Sequence, residues 1–361
     1  MEKMNMNGGF LSNLVNKWVL GSCVLLMTLS TAGSASADFD PCCDQVCDCE
    51  MNNFSAYVDF LYWQVNPEST EFARYNGISS GATTAATAGQ VLNVGCDFYP
   101  GFRIGALLDL GCCDWDAFAQ YTFLIERRTK SQALEPKVNG IAPLIFNQGG
   151  MGDINLAKGD WHSNMNVVDF GLGKTFNVHC CYSFRPHFGL KATWQDYKYD
   201  VTYDRSQTTT IKSRDRILMH SEFDGIGLRG GFDAEWLFSP CTSFAGGMSF
   251  STLYSDYNTD RSDLNMTVTS DVEGVATKNL ELKERFCALI PVLELYAGVK
   301  FTQDLNDCYN AFVFVGYEAQ VWYDALRFIK VQNVSSGVNN YTFTQGNLTF
   351  SGLVLRAGVS Y

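Results

Sequence analysis

Residues 348–361 read LTFSGLVLRAGVSY, and this stretch decides the fold class. Taking every second residue back from Tyr361 selects only apolar side chains, as far as Leu353. The residues between them are small or polar, apart from Val354. A period of two is that of a β-strand with one apolar and one polar face. An aromatic residue at the end of such a strand is typical of the girdle of an outer-membrane barrel, although the last strand of a soluble β-sandwich alternates in the same way.

The first 37 residues have the pattern of a secretory signal peptide. Lys3 and Lys17 precede an apolar run over residues 18–29, and Ala35-Ser36-Ala37 forms an A-x-A cleavage site. This run is too short to span a bilayer as a helix, and no apolar run of about eighteen residues follows it. We therefore expect a signal peptide over residues 1–37, a cysteine-rich periplasmic leader over 38–52 and a β-barrel over 53–361.

The composition narrows the class of protein further. The chain carries a formal net charge of −12 and 13 cysteines. The acidity argues against nucleic acid as a partner, because phosphate binding needs a basic face. Without a membrane helix, a closed barrel is the remaining way to cross a bilayer, because backbone groups in hydrocarbon must pair within the protein. In an exported chain this many cysteines indicates disulfides rather than metal ligands, so we expect no metal and no cofactor.

Ten segments of the chain alternate between apolar and polar residues. They begin near Phe54, Phe102, Asp116, Val168, Phe184, Ile226, Phe244, Leu289, Ala311 and Leu348. Short connections around residues 111–114, 179–181, 239–242 and 306–308 alternate with long ones around 64–97, 128–165, 204–222, 258–285 and 324–347. Short turns at one rim and long loops at the other are typical of a bacterial up-and-down barrel. The predicted fold is therefore all-β: a transmembrane antiparallel β-barrel of about ten strands or more, with a soluble β-sandwich as the alternative.

Charged residues fall on the more polar face of these segments, which would face the lumen. The predicted pore-lining residues are Arg103, Asp109, Arg185, Lys191, Arg229, Asp233, Glu235, Glu294, Lys300, Glu318 and Arg356. Bases that face acids across a water-filled channel would set up a transverse field that favours polar solutes. Aromatic residues on the apolar face near strand ends predict the interfacial girdle. They are Tyr62, Trp194, Trp236, Tyr254 and Tyr361.

All four short turns carry cysteine, and so does the leader. The disulfide candidates are Cys42, Cys43, Cys47, Cys49, Cys112, Cys113, Cys180, Cys181, Cys241 and Cys308. Adjacent cysteines rarely bond each other, because their Cα atoms are only about 3.8 Å apart. Each must pair with another turn, with the leader or with a different molecule. The positions of the cysteines are compatible both with intramolecular disulfides and with a periplasmic lattice of disulfides between molecules.

The histidines form no recognisable catalytic motif. Neither G-x-S-x-G nor H-E-x-x-H occurs in the chain, and His187 lies on a predicted lumen face. We expect no enzymatic activity. An outer-membrane hydrolase that uses His162 or His220, which lie in or beside long connections that also hold acids, is the less favoured alternative.

Residues 57–64, YVDFLYWQ, followed by Glu71-Phe72-Ala73, carry a resemblance to a known family. The chain resembles the cysteine-rich major outer membrane protein porins of the Legionella and chlamydia-like type, and the doubled cysteines and aromatic terminus are similar too. The resemblance implies a trimer-prone, disulfide-crosslinked porin that passes small hydrophilic solutes and serves as a surface adhesin. Outer-membrane lipids, further copies of the chain and disulfide-linked envelope proteins would be its partners. A structural or adhesive barrel with a blocked lumen is the first alternative to passive diffusion.

Overall fold

The computed structural model describes residues 54–75, 89–111, 114–133, 141–145, 154–179, 181–206, 211–269, 272–306, 309–333 and 339–361. The predicted signal peptide and cysteine-rich leader lie outside these residues. Within the described ranges the regular structure is β-strand throughout. Among the same residues, none belongs to a helix long and apolar enough to cross a membrane.

Ten long strands form the wall of the molecule. In chain order they are β1 Phe54–Pro67, β2 Asp97–Asp109, β3 Trp115–Ala133, β4 Ile154–Lys174, β5 Tyr182–Ser206, β6 Ile211–Ser239, β7 Thr242–Thr269, β8 Thr277–Asn306, β9 Tyr309–Leu326 and β10 Gly346–Ser360. Each strand is antiparallel to the next, and β1 also pairs with β10, which closes the ring. This confirms the predicted up-and-down antiparallel barrel and excludes the β-sandwich.

Several connections on the long-loop side are much shorter than predicted, because the strands continue through them. The strands β6, β7 and β8 contain 29, 28 and 30 residues. At a rise of about 3.3 Å per residue and a tilt of about 40°, β7 spans roughly 70 Å of height, whereas the apolar band of an outer-membrane barrel is about 25 Å tall. The predicted loops over 204–222 and 258–285 are therefore mostly strand, and much of the wall stands beyond the membrane.

The polarity of the wall reverses along the long strands, as β5 shows. Near its short-turn end, Phe188 and Trp194 are exposed outside and Lys191 is buried inside. Farther along, the buried inner positions are Tyr197, Tyr199, Val201 and Tyr203. The outer positions there are Asp196, Lys198, Asp200 and Thr202. We call the part with the apolar exterior the lower barrel and the part with the apolar interior the upper barrel. The outer surface of the lower barrel is compatible with lipid, and that of the upper barrel is compatible with water.

The five predicted girdle residues lie on the outer surface at the limits of the lower barrel. All five are exposed: Tyr62, Trp194, Trp236, Tyr254 and Tyr361. Trp236 and Tyr361 lie near the short-turn ends of β6 and β10. Tyr62, Trp194 and Tyr254 lie where the polarity reverses. The lower barrel is thus bounded by two aromatic rows, as expected at the two interfaces of a membrane.

Short segments between the strands fold into the upper barrel. The strand Glu71–Tyr75 pairs with Gln90–Asn93 and with Ile141–Pro143. A second hairpin pairs Ile329–Asn333 with Asn339–Phe343. Two further short strands, Phe176–His179 and Val272–Glu273, pair with β5 and β7. We call the parts that carry buried side chains, residues 68–75, 89–96, 141–145 and 325–331, the infolded segments.

The reversal of polarity predicts opposite tolerance to charge at two leucines on the outer surface of β6. Leu228 lies in the lower barrel and is strongly exposed, whereas Leu218 lies in the upper barrel beside Asp200 and Ser262. We expect Leu228→Arg to lower the free energy of unfolding from phospholipid vesicles by roughly 2 kcal/mol, because a cation must then enter hydrocarbon. We expect Leu218→Arg to change it by less than about 0.5 kcal/mol. Urea titration of the refolded barrel measures both, and equal effects would disprove the assignment of the membrane band.

Candidate functional site: the barrel lumen

Arg103 on β2 is the centre of the first charge cluster in the lumen. Its guanidinium forms two hydrogen bonds of 2.9 Å with Glu318 on β9. Its Nη1 also lies 3.3 Å from Asp59 on β1, and its Nε donates to Thr122 at 2.9 Å. Arg356 on β10 donates to the same Asp59 at 2.7 and 2.9 Å. Because β2 and β9 are not neighbours in the wall, the Arg103–Glu318 pair crosses the lumen.

The second cluster joins two cations and two carboxylates in a closed ring. The Nζ atom of Lys191 on β5 lies 2.8 Å from Asp169 on β4 and 2.8 Å from Glu294 on β8. Arg229 on β6 makes ion pairs of 2.9 Å with the same two carboxylates. Each charge in the ring therefore has two partners of opposite sign. This compensates the cost of removing the four charged groups from water.

The third cluster lies nearer the short-turn rim. Arg185 on β5 donates to Asp116 on β3 through Nε at 2.7 Å and also through Nη2. Its Nη1 donates to Asp233 on β6 at 2.6 Å. Close to this cluster, Lys300 on β8 lies 3.0 Å from Glu235 on β6.

The structure brings the predicted pore-lining residues together as ion pairs, with Asp109 as the exception. The Asp109 carboxylate accepts a hydrogen bond of 2.8 Å from the backbone amide of Gly111 in the short turn after β2. The bases and acids of the lumen lie in contact as ion pairs, and the transverse field expected across a water-filled channel stays a prediction. The counter-ions Asp59, Asp116 and Asp169 were missed as lumen sites, although the alternation placed each of them on the polar face.

Above the charge clusters, aromatic rings from the wall and the infolded segments fill the lumen. We call this group the aromatic layer, and its fully buried members are Trp63, Phe72, Trp161, Tyr197, Tyr199, Phe223, Tyr257, Trp322, Phe328 and Phe350. Trp161 packs on Tyr197 with centroids 5.8 Å apart and on Phe328 with centroids 6.0 Å apart. Phe223 stacks on Tyr257 at 5.0 Å and meets Trp322 edge-on at 6.2 Å. The layer spans the lumen from β4 to β9.

Hydrogen bonds attach the infolded segments to the inner wall. The hydroxyl of Tyr199 donates to the carbonyl of Thr70 at 2.6 Å, and that of Tyr257 donates to Ala325 at 3.0 Å. Buried Arg261 donates to the carbonyls of Ile329 and Ile145 at 3.1 and 3.0 Å. These wall side chains satisfy backbone carbonyls that would otherwise be buried without partners.

Tyr203 makes the same kind of attachment higher in the upper barrel. Its hydroxyl donates to the carbonyl of Phe72. Burial raises the pKa of Tyr203, so the hydroxyl keeps its proton and remains a donor at physiological pH. The hydrogen bond from Tyr203 to the infolded segment at Phe72 therefore persists near neutral pH.

The aromatic layer rests directly on the charge clusters. The Arg103 guanidinium lies 5.5 Å from the ring centroid of Trp63, and the Lys191 ammonium lies 5.7 Å from that of Trp322. Such contacts stabilise a cation that has lost its water. The layer was not predicted. Phe72, Trp161 and Phe328 lie in stretches predicted as long loops, and Trp63 and Trp322 lie on the polar face of predicted strands. The signal was present as alternation of reversed polarity, for example over residues 196–203.

Three residues singled out in the sequence, Cys241, His162 and His220, lie away from the charge clusters. Cys241 in the turn between β6 and β7 is an exposed free thiol in the single chain, so its predicted disulfide with another turn, with the leader or with a different molecule stays a prediction. Cys181 is disulfide-bonded, and the remaining candidates lie outside the described residues. His162 and His220 lie on the outer surface of the upper barrel. The ring nitrogens of His220 lie 2.6 Å from Asp196 and 3.4 Å from Asp260.

The pKa of one histidine on this outer surface is shifted. Burial and the neighbouring Arg127 lower the pKa of His162, so its imidazole is neutral at pH 7. Within the described part of the chain, no group of three or more His, Cys, Asp or Glu side chains could hold a metal ion. The described side chains of the lumen offer ion pairs and aromatic surface.

The closed ring, the apolar band between two aromatic rows and the ion-paired lumen define an outer-membrane β-barrel. Residues 46–361 match the family described as "Legionella pneumophila major outer membrane protein precursor". The chain belongs to this family, and its place is the outer membrane. No curated protein matches the chain.

Several solved outer-membrane barrels are similar to the chain. The outer membrane protease OmpT from Escherichia coli is 9% identical, with 91% of this chain and 99% of that chain covered at a TM-score of 0.35. A Pseudomonas aeruginosa FadL homologue is 9% identical, with 86% and 90% covered at 0.26. The translocator domain of the autotransporter NalP from Neisseria meningitidis is 13% identical, with 87% and 90% covered at 0.29. The fold assignment rests on the strand pairing of the chain itself.

The second charge cluster predicts a large difference between two lysines of β5. Lys191→Met would leave Asp169 and Glu294 buried with one cation instead of two, and we expect a loss of about 3 kcal/mol in the free energy of unfolding. Lys198→Met is the control, since Lys198 is exposed 3.1 Å from Asp196, and we expect a change below about 1 kcal/mol. Urea unfolding followed by tryptophan fluorescence measures both. A small effect of Lys191→Met would show that the ring does not hold the lumen together.

Proposed function

We propose that this chain is a sealed surface barrel, a structural component of the outer membrane that does not conduct solutes in its resting state. The aromatic layer is the observation that carries this proposal. Its rings are fully buried and packed on one another. The hydroxyls of Tyr199 and Tyr257 also donate to the infolded segments, so a hydrated path through the upper lumen would have to displace these side chains. A ring of about eight strands is just wide enough for side chains to fill, and ten strands enlarge it only modestly.

The upper barrel supports a role at the cell surface. Its strands continue roughly 40 Å beyond the apolar band, and the outer positions there are polar. A tall rigid wall of this kind presents paired strands rather than loops to the surroundings. We propose that it carries structural or adhesive contacts.

Passive diffusion of small hydrophilic solutes is the second candidate. The observation that favours it is a cavity of about 290 Å³ among the charged residues of the lower barrel. A porin would need the aromatic layer to move aside. The wall would then expose Tyr197, Tyr199 and Tyr257 to water, which is costly for buried aromatic surface.

We propose no enzymatic activity for the chain. His220 has a carboxylate beside each ring nitrogen, and no hydroxyl or thiol nucleophile of the described residues forms a hydrogen bond with it. Cleavage of a peptide or lipid by the purified protein would contradict this.

Export and crosslinking complete the proposal and rest on the sequence. We propose that the signal peptide over residues 1–37 is removed and that cysteines of the short turns and leader crosslink the barrel to further copies or to other envelope proteins.

Terminal sequencing of the protein purified from outer membranes should give Asp38 as the first residue, because cleavage follows Ala35-Ser36-Ala37. Non-reducing electrophoresis should show species larger than one chain that reductant removes. A first residue within the apolar run, or a monomer without reductant, would contradict these two statements.

The proposed sealed lumen predicts that the protein conducts no ions across planar bilayers. We expect no discrete conductance steps from the wild-type protein across many insertions, because the aromatic layer blocks the lumen. We expect the triple variant Trp63→Ala, Trp161→Ala, Trp322→Ala to conduct, since it removes three of the largest rings of the layer. The matched control is Tyr62→Ala, Trp194→Ala, Tyr254→Ala, which removes outer aromatic residues and should stay silent.

Migration of unheated and heated samples on gels identifies variants that have folded. Discrete steps from the wild-type protein would overturn the sealed barrel and support the second candidate. The conductance of the wild-type protein distinguishes the two candidate functions even if the interior triple variant does not fold.

A further inference from the structure

The cavity in the lower barrel is a pocket for a small molecule, whether or not the lumen conducts. Its volume of about 290 Å³ is many times what one ordered water requires. It is lined by side chains of the lower wall, among them Tyr57, His187, Arg229, Ala245 and Arg356. None of the fully buried rings of the aromatic layer lines it.

The pocket opens toward the short-turn rim. In the second charge cluster, the side chains of Asp169 and Lys191 are 2% and 1% exposed. Nearer the rim, those of Glu235 and Lys300 are 27% and 28% exposed. Solvent therefore reaches the pocket from the periplasmic side, and the aromatic layer closes the other side.

The charges that line the pocket are nearly balanced. The cations are Arg103, Arg185, Arg229, Lys300 and Arg356, and the acids are Asp233, Glu235, Glu294 and Glu318. A ligand with net charge of either sign would meet repulsion from about half of these groups at short range. A ligand that carries both signs at once can approach a base with its negative end and an acid with its positive end.

Three buried polar atoms of the pocket lack hydrogen-bond partners among the described residues: Nε and Nη1 of Arg229 and Nδ1 of His187. The Nη1 atom is ion-paired with Asp169 at 2.9 Å, which leaves Nε of Arg229 and Nδ1 of His187 without a contact of either kind. The Arg229 atom can only donate. The Nε2 atom of His187 lies 4.0 Å from an oxygen of Asp233, beyond hydrogen-bond distance. In the neutral tautomer that carries its proton on Nε2, Nδ1 is an acceptor. Buried polar groups are normally paired. The pocket therefore presents one unmet donor and one unmet acceptor.

We propose that this pocket binds a small zwitterion of the α-amino acid class, supplied from the periplasm. The carboxylate of the ligand accepts a hydrogen bond from Nε of Arg229. Its ammonium group donates to Nδ1 of His187, with Asp233 close by. The proposal does not depend on conductance, because the pocket lies below the aromatic layer in a sealed barrel and in an open one.

Saturation-transfer NMR on the folded barrel in detergent micelles, with L-alanine as the probe, tests the proposal. We expect transfer to L-alanine that glycine displaces. Acetate and methylammonium each lack one end of the zwitterion, and we expect each to compete at least tenfold more weakly, about 1.4 kcal/mol. Equal competition by acetate, methylammonium or glucose would overturn the assignment to a zwitterion, and so would the absence of transfer.

Two variants locate the binding in the pocket. Ala245→Phe places a ring in the cavity without removing a charged group, and we expect it to abolish transfer. Ala234→Phe on the outer surface of neighbouring β6 is the matched control and should leave binding unchanged. His187→Phe keeps a ring but removes the acceptor, and we expect affinity to fall five- to tenfold, as for the loss of one hydrogen bond.

Undiminished transfer in both Ala245→Phe and His187→Phe would place the ligand elsewhere and overturn the inference. If Ala245→Phe does not fold, His187→Phe decides. A conducting wild-type barrel would overturn the sealed lumen proposed above and leave this result unaffected, so the two failures are distinguishable.

Discussion

The antiparallel pairing of β1 with β10 is the constraint on which the rest of the structure depends. The register runs from Ser55 opposite Ser360 to Pro67 opposite Leu348 without a shift. An unpaired backbone group in hydrocarbon costs several kcal/mol, so the ring must close on itself. Closure with ten strands sets the width of the lumen. That width brings Lys191 on β5 within ion-pair distance of Glu294 on β8, although the two strands are not neighbours.

The buried charges and the register specify each other. A slip of one residue in β1 would turn Asp59 outward to lipid and separate it from Arg103 and Arg356. The charge clusters need not be the most stabilising way to fill the lumen, because well-packed apolar residues often give the same free energy of unfolding as a buried ion pair. Losing a single partner is much more costly, because it leaves a charge uncompensated in a site without water. Each cluster therefore favours one arrangement of the ring over its neighbours.

The two parts of the barrel are stabilised in different ways. In the lower barrel the outer apolar side chains are surrounded by lipid, so the hydrophobic effect contributes little to the stability of the fold there. The wall is held together by backbone hydrogen bonds between strands and by the ion pairs of the interior. In the upper barrel, water surrounds the wall, and the hydrophobic effect acts on the aromatic layer and infolded segments inside. The chain thus carries a hydrophobic core, but it lies in the lumen beyond the membrane. This is why the layer that fills the upper lumen is also a main stabilising element of the projecting part.

Alternation with a period of two is a local property, so the sequence by itself determined the strands, their number and the face on which Arg103, Lys191 and Glu318 lie. It could not say which face is interior once the polarity reversed. Residues 196–203 alternate as regularly as residues 353–361, yet their apolar side points inward. Only closure of the ring decided that Arg103 meets Glu318, a residue 215 positions away. Closure also decided that Phe72 and Phe328 fill the lumen, because those contacts depend on the width of the barrel and not on the spacing of residues along the chain.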